Sequence, residues 1–139
     1  MAQLARFGVS MDAELLAAFD ALITRKGYGS RSEAIRDMVR DSIVQSGWED
    51  DAGPTVAALC LVYDHKARDL PRRLAALQHE HTGQIMATLH IHLDARNCLE
   101  VTVMRGKPGK LRRIGDQMIA TRGVKHGRLV MTTAGKGLR

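Results

Sequence analysis

Aromatic side chains are scarce in this chain: two Phe, two Tyr and one Trp make up 4% of its 139 residues. Any core it builds is therefore aliphatic, with the seven Met as flexible filler. Cysteine is rarer still. Two Cys cannot make a disulfide framework and fit a reducing compartment better. No apolar run approaches the roughly 20 residues of a membrane span, and the start lacks the apolar segment of a signal peptide. The expectation is a soluble, cytoplasmic protein with no membrane partner. No nucleophile–base pair stands out either, so catalysis is not expected. What remains is 45% hydrophobic content, enough for one ordinary domain or two very small ones.

Charge is plentiful and uneven. The whole chain carries +6 at pH 7, with a pI near 9.8. Residues 1–51 hold 6 Lys+Arg against 9 Asp+Glu, a net of −3, and residues 52–139 hold 15 against 6, a net of +9. The total suggests a polyanionic partner. An acidic first third could grip one only through locally placed basic groups.

The chain divides on its patterning. Over residues 4–10, Phe7 and Val9 alternate with Arg6, Gly8 and Ser10, which predicts a short strand with one apolar face. Ser10 or Asp12 then caps a helix whose apolar positions are Leu15, Leu16, Phe19, Leu22 and Ile23. Gly27 stops it. Ser30-Arg31-Ser32-Glu33 reads as a capping box opening a second helix, which is expected to end by Gly47. One short strand and two helices bury little by themselves, and such a strand needs a partner. A dimer pairing two copies of the strand into an antiparallel ribbon meets both needs.

Residues 48–54, acidic and ending in Gly53-Pro54, read as a linker. A second unit over 55–133 follows. It has a strand at Val56–Tyr63, a helix opened by Asp69 and Pro71, a hairpin, a helix through Leu111, Ile114, Met118 and Ile119, and a last strand from Val124. This β-α-β-β-α-β order is the ferredoxin-like arrangement, used by small ACT-type ligand-sensing domains. Residues 134–139 read as a flexible tail. The fold class is therefore α+β.

Four of the six His and one Cys lie between His79 and Glu100. Alternation over Thr88–Leu93 puts His90 and His92 on one strand face, and Cys98, Glu100 and Thr102 share a face of the next. If His92 pairs with Cys98 and His90 with Glu100, the loop is the five residues 93–97, and two imidazoles and a thiol converge. If Leu93 pairs with Cys98, the thiol moves to the far side and the site is lost. His79 or His81 could add a fourth ligand. Such a donor set suits a late first-row ion: zinc, nickel, copper or cobalt. Cys60 reads as a core strand residue, and His65 and His126 as surface or secondary polar groups.

These motifs carry two resemblances. Arg6-Phe-Gly-Val-Ser10 with Ser30-Arg-Ser-Glu-Ala-Ile-Arg-Asp37 resembles the ribbon-helix-helix DNA-binding domains, whose dimers lay a two-stranded ribbon in the major groove. The resemblance implies base contacts from Arg6, Gly8 and Ser10, and phosphate contacts at the helix start near Ser30, Arg31 and Ser32. Gly8 stands where many relatives carry a larger polar group, which removes one base contact per strand. The whole chain from about Arg6 to Thr132, with Gln78-His79, Thr88-Leu-His90-Ile-His92, Asn97-Cys98-Leu-Glu100 and Arg122-Gly123-Val124, resembles the nickel-responsive NikR regulators. That family implies one square-planar Ni(II) per subunit, held by His90, His92 and Cys98 with His79 of another subunit. Glu100 would support these ligands by hydrogen bonding. It further implies a homotetramer made of two dimers, palindromic operator half-sites as the DNA partner, a second cation at Glu33 and Asp37, and a DNA contact from Arg68. The expected function is nickel-dependent repression of nickel-uptake genes. The alternatives are a zinc- or copper-responsive regulator using the same ligands, a metal carrier or buffer, and an ACT-type amino-acid sensor.

Overall fold

A computed structural model describes residues 3–139, so the first two residues of the expected 1–47 unit lie outside the described residues. The chain forms two compact units. One runs up to Ile43 and includes Gly137–Arg139, and the other is Val44–Lys136.

In the first unit, helix α1 spans Ala13–Arg25 and helix α2 begins, running Arg31–Glu49 into the second unit. Asp12, rather than Ser10, caps α1: its carboxylate accepts from the N–H groups of Glu14 at 2.8 Å and Leu15 at 3.4 Å. The other end closes as a Schellman turn. Gly27 takes φ +82°, its N–H bonds to the Thr24 carbonyl, and the Tyr28 N–H reaches back to Ile23. The capping box at α2 forms with a shift. Ser30 Oγ accepts from Glu33 N–H at 3.2 Å, whereas the Glu33 carboxylate takes the N–H of Gly29, not that of Ser30.

Two expectations fail here for physical reasons. Residues 4–10 form no strand and lie fully exposed, because a strand is held by hydrogen bonds to a neighbour and a single chain offers none. And α2 does not stop at Gly47. It runs to Glu49, with the Trp48 indole donating to the Thr132 carbonyl at 3.0 Å and to Thr55 Oγ1 at 3.2 Å. A mid-helix glycine costs about 1 kcal/mol, which this docking offsets. Asp51, expected in a free linker, instead accepts the N–H of Gly109 at 2.8 Å and so caps a later helix. At the far end of the chain the Arg139 carbonyl accepts twice from Arg40.

The second unit is a four-stranded sheet backed by two helices: β1 Thr55–Asp64, α3 Leu70–Glu80, β2 Ile85–His92, β3 Asn97–Gly106, α4 Pro108–Ile119 and β4 Val124–Met131. The strand order is β2-β3-β1-β4, with every neighbouring pair antiparallel, which is the expected ferredoxin-like topology. Pro108 takes the first position of α4, where its missing N–H costs nothing. Asp69 takes the expected N-cap position of α3 with φ +59°, but its side chain makes no cap hydrogen bond.

The core lies on one sheet face. Ala57, Leu59, Leu61 and Tyr63 of β1 and Cys98 and Met104 of β3 meet Leu70 and Leu74 of α3 and Leu111, Ile114 and Met118 of α4. Each such buried aliphatic side chain contributes about 1.5–3 kcal/mol. Gly127 permits the fit: a Cβ there would sit 2.6 Å from Ile119 Cγ1 and 2.9 Å from Leu61 Cδ2. The other sheet face carries Cys60, Val62, Leu99, Val101, Leu89 and Ile91, none of them buried, so Cys60 is not the core residue expected. No helix among the described residues is long and apolar enough to cross a membrane.

Candidate metal centre

The β2–β3 hairpin adopts the register the site requires. His92 pairs with Cys98 and His90 with Glu100, and the Leu93 N–H closes the loop on the Asn97 carbonyl at 2.8 Å. Asp94 fixes that loop. Its carboxylate accepts from the N–H groups of Arg96 and Asn97 and from the Asn97 side-chain amide, each at 2.8 Å. These bonds, led by those from Asn97, hold its pKa down at about 2.

Cys98 Sγ lies 3.7 Å from His92 Nδ1. The thiol is buried, and burial first, then the charges of Glu100, Asp64 and Asp94, push its pKa up. It therefore stays protonated at neutral pH until a cation displaces the proton. His90 is held differently. Its Nε2 lies 3.1 Å from Glu100 Oε1 and its Nδ1 3.4 Å from the Tyr63 hydroxyl. Glu100 is only 2% exposed and also accepts from Gln78 Nε2 at 2.8 Å. Its Oε2 and the neighbouring Thr102 Oγ1 are buried without a partner. Burial, with the Glu100 carboxylate next, raises the Tyr63 pKa and keeps that phenol neutral. Glu100 thus sits behind His90, 3.1 Å from one of its ring nitrogens.

His79, the expected fourth ligand, does not join the hairpin group in this chain. His79 lies exposed on the last turn of α3, beside a dent of about 210 Å³ lined by Ala75, Gln78, Thr82 and Ile85. His81, its rival, sits 3.4 Å from Gln117 Oε1. Among the described residues the group that converges is His65, His92 and Cys98, with ligand atoms all within 4.8 Å of one another. His65 is the residue that sequence reasoning set aside. It follows the last residue of β1, and β1 pairs Tyr63 with Cys98 and Asp64 with Asn97, so the chain leaves the sheet at the mouth of the hairpin. The β1–β3 register would have revealed it, and that register is set by tertiary pairing. Its donor set of imidazole and thiolate, with one buried imidazole nitrogen left unpartnered, fits a late first-row cation.

The expected DNA-contacting residues fall in two groups. Arg6, Gly8 and Ser10 lie along the exposed extended segment, and a Cβ on Gly8 would meet nothing within 4 Å. At the start of α2, Ser30 is engaged in capping and Arg31 forks onto Asp20 at 2.7 and 2.8 Å, while Ser32 is exposed. The Arg31 guanidinium holds the Asp20 carboxyl below its ordinary value. Arg68 is exposed in the β1–α3 loop. Glu33 and Asp37, expected to take a second cation, both have partners: Glu33 accepts from Gly29, and Asp37 from Tyr28 at 2.9 Å and Arg40 at 3.1 Å. A cation there must compete with Arg40.

Comparisons with known proteins agree with this division. Residues 56–132 match the model of the NikR C-terminal nickel binding domain, and residues 5–46 match that of the ribbon-helix-helix proteins of the copG family. A protein of Geobacter sp. (strain M21), named as a nickel-responsive regulator, is 54% identical over 99% of both chains. Its namesake in Geotalea uraniireducens (strain Rf4) is 52% identical over the same shares. Another, from Caldanaerobacter subterraneus subsp. tengcongensis, is 49% identical over 96% of this chain and 86% of its own. Among solved structures, the ACT domain of a GTP pyrophosphokinase of Chlorobium tepidum overlays with a TM-score of 0.47 and 13% identity, covering 56% of this chain and 100% of that one. With a ribbon-helix-helix unit followed by the nickel-binding unit, the chain belongs to the NikR family of nickel-responsive regulators, which are not enzymes.

Proposed function

We propose that this chain is a nickel-responsive DNA-binding regulator that represses nickel-uptake genes when Ni(II) is bound. Residues 1–47 would bind DNA and residues 55–133 nickel and other copies of the chain. The observation that carries this reading is the hairpin register, His92 opposite Cys98 and His90 opposite Glu100. It puts three of the four expected ligands on one face. Nickel would be held, one ion per subunit, by His90, His92 and Cys98 of one copy and His79 of another. Bound, the ion supplies bonds that tie two copies together. Cys98 gives up its proton to solvent, and His90 trades one of its contacts to Glu100 or Tyr63 for its ligand role, while Gln78 keeps Glu100 in place.

Two unpartnered apolar surfaces support a tetramer of two dimers. The open sheet face exposes Leu89 and Ile91, and another copy of the chain would cover it. In the first unit, Leu4, Phe7 and Val9 line an open hollow of about 890 Å³ with Leu16, Phe19 and Ile35. A second copy of residues 4–10 fits there, paired as a ribbon whose Arg6, Gly8 and Ser10 face operator half-sites. Ser30, Arg31, Ser32 and Arg68 would then meet phosphates, Arg31 after leaving Asp20. A second cation at Glu33 and Asp37 remains part of the proposal. Nickel favours the arrangement that places both ribbons on DNA, a coupling of order 1–3 kcal/mol.

The test is a nickel titration of a gel shift on the DNA upstream of the protein's own gene. Wild type should shift only with nickel. Arg6→Ala should lose the shift with nickel binding intact, and Cys98→Ala should lose its nickel dependence. A wild type that shifts at no nickel level leaves a metal carrier as the reading. Visible absorbance of the loaded protein separates nickel and copper, which colour a thiolate site, from zinc, which does not.

A further inference from the structure

We infer that His65, His92 and Cys98 form a second metal-binding arrangement, complete within one chain, on which a late first-row cation lands before the four-ligand site closes. The inference rests on the reading that His92 and Cys98 bind metal. It adds a ligand, His65, and an order of events.

The structure offers two ligand sets that share His92 and Cys98, and it holds one of them back. His90 has both ring nitrogens engaged, one by the buried Glu100 carboxylate and one by the Tyr63 hydroxyl. His79 is not part of the converging group of its own chain. The four-ligand set thus needs two rearrangements: His90 must leave a partner, and a second copy must supply its His79. The His65 set needs neither. Its three donor atoms already lie within 4.8 Å of one another. The His65 and His92 rings stand edge to face with centroids 5.2 Å apart, and His65 Nδ1 is buried with no hydrogen-bond partner. Burying an imidazole nitrogen unpaired costs stability unless something is meant to meet it.

The loop that carries His65 is braced for the purpose. The His65 N–H donates to the Arg96 carbonyl at 2.9 Å. Arg96 forks onto Asp64 at 2.7 and 2.9 Å, and Asp64 accepts the N–H of Lys66 at 2.9 Å. Asp64 and the His65 backbone are therefore tied to the hairpin loop and Lys66 to Asp64, and the imidazole is presented without having to order the backbone. Neutral His65 and His92 donate lone pairs, and Cys98 loses its thiol proton to solvent as the sulfur–metal bond forms. The donor set of two imidazoles and one thiolate selects a borderline ion over Mg²⁺ or Ca²⁺. Exchange of His65 for His90 then passes the ion inward, toward Glu100.

The test uses the full-length chain and Co(II), whose thiolate charge-transfer and d–d bands report sulfur ligation and coordination number. His90→Ala, which disables the four-ligand set, should still bind one Co(II) per chain with the thiolate band. Adding His65→Gln, which keeps a polar side chain but removes the imidazole, should weaken that binding by roughly tenfold or more and alter the d–d bands. His65→Gln alone should load nickel several-fold more slowly than wild type in stopped-flow. Equal Co(II) affinity and spectra with and without His65 in the His90→Ala background overturn the inference, as does unchanged loading by His65→Gln. Loss of Co(II) from His90→Ala with His65 intact also overturns it. Failure of the regulator reading looks different: metal binds as described, yet no variant or metal moves the gel shift.

Discussion

The two units of this chain are built to different degrees of completeness. The sheet unit buries eleven apolar residues in one continuous core. Among the described residues of the first unit only Ile23 and Ala34 are buried, while Phe7 is 74% exposed and Leu15 60%. One unit is a finished fold, and the other has well-capped helices around a core that a single chain cannot close. The difference teaches where assembly matters. One chain by itself brings His65, His92 and Cys98 together, whereas residues 4–10 find no strand partner in it.

That contrast can be broken by mutation. Leu61→Ala, in the closed core, should cost about 2–5 kcal/mol in urea unfolding monitored by circular dichroism. A loss below about 1 kcal/mol would mean that the sheet unit is looser than its packing implies. Gly127→Ala should cost about 1–3 kcal/mol in the same assay, because the added methyl has no room between Ile119 and Leu61.

The first unit should respond to concentration instead. Its thermal transition should rise with protein concentration and that of the sheet unit should rise less, since a partner that binds only the folded form stabilises by mass action. Phe7→Ala should lower the concentration-dependent transition alone, as differential scanning calorimetry would show. Asp12→Ala, which removes the α1 cap, should lower the stability of the same unit by about 1 kcal/mol.

The smallest effect concerns pH. The Asp20 carboxyl is held below 3.8, first by its hydrogen bond from Arg31. A carboxyl depressed by folding binds its proton more readily when unfolded. The Asp20–Arg31 contribution is thus fully present above 3.8 and is lost as pH falls through the folded value. The stability difference between wild type and Asp20→Asn should be flat at neutral pH and shrink in acid. A difference that grows in acid would refute the pairing.

Much of this was legible from residue order, and the exceptions are instructive. The Schellman stop at Gly27, the Ser30 cap, the ferredoxin-like order and the His92–Cys98 phase all follow from local rules and from a period of two. Three things did not follow. The 4–10 segment alternates as a strand should, yet stays unpaired in one chain because its hydrogen bonds belong to another. Helix α2 passes Gly47 because the Trp48 indole finds the Thr132 carbonyl, a contact between residues far apart in sequence. His65 looked like a surface histidine because nothing near it in sequence ligates metal.

By itself the sequence determined the element order from α1 onward, the family and the shared face of His90, His92 and Cys98, since capping, periodicity and side-chain chemistry act over a few residues. The tertiary structure alone decided that β1 ends at the hairpin mouth and brings His65 to Cys98, that Glu100 and Tyr63 engage both ring nitrogens of His90, and that His79 stays outside the converging group. Those outcomes depend on inter-strand register and on burial, which are set by the packing of the whole sheet unit rather than by any one stretch of the chain.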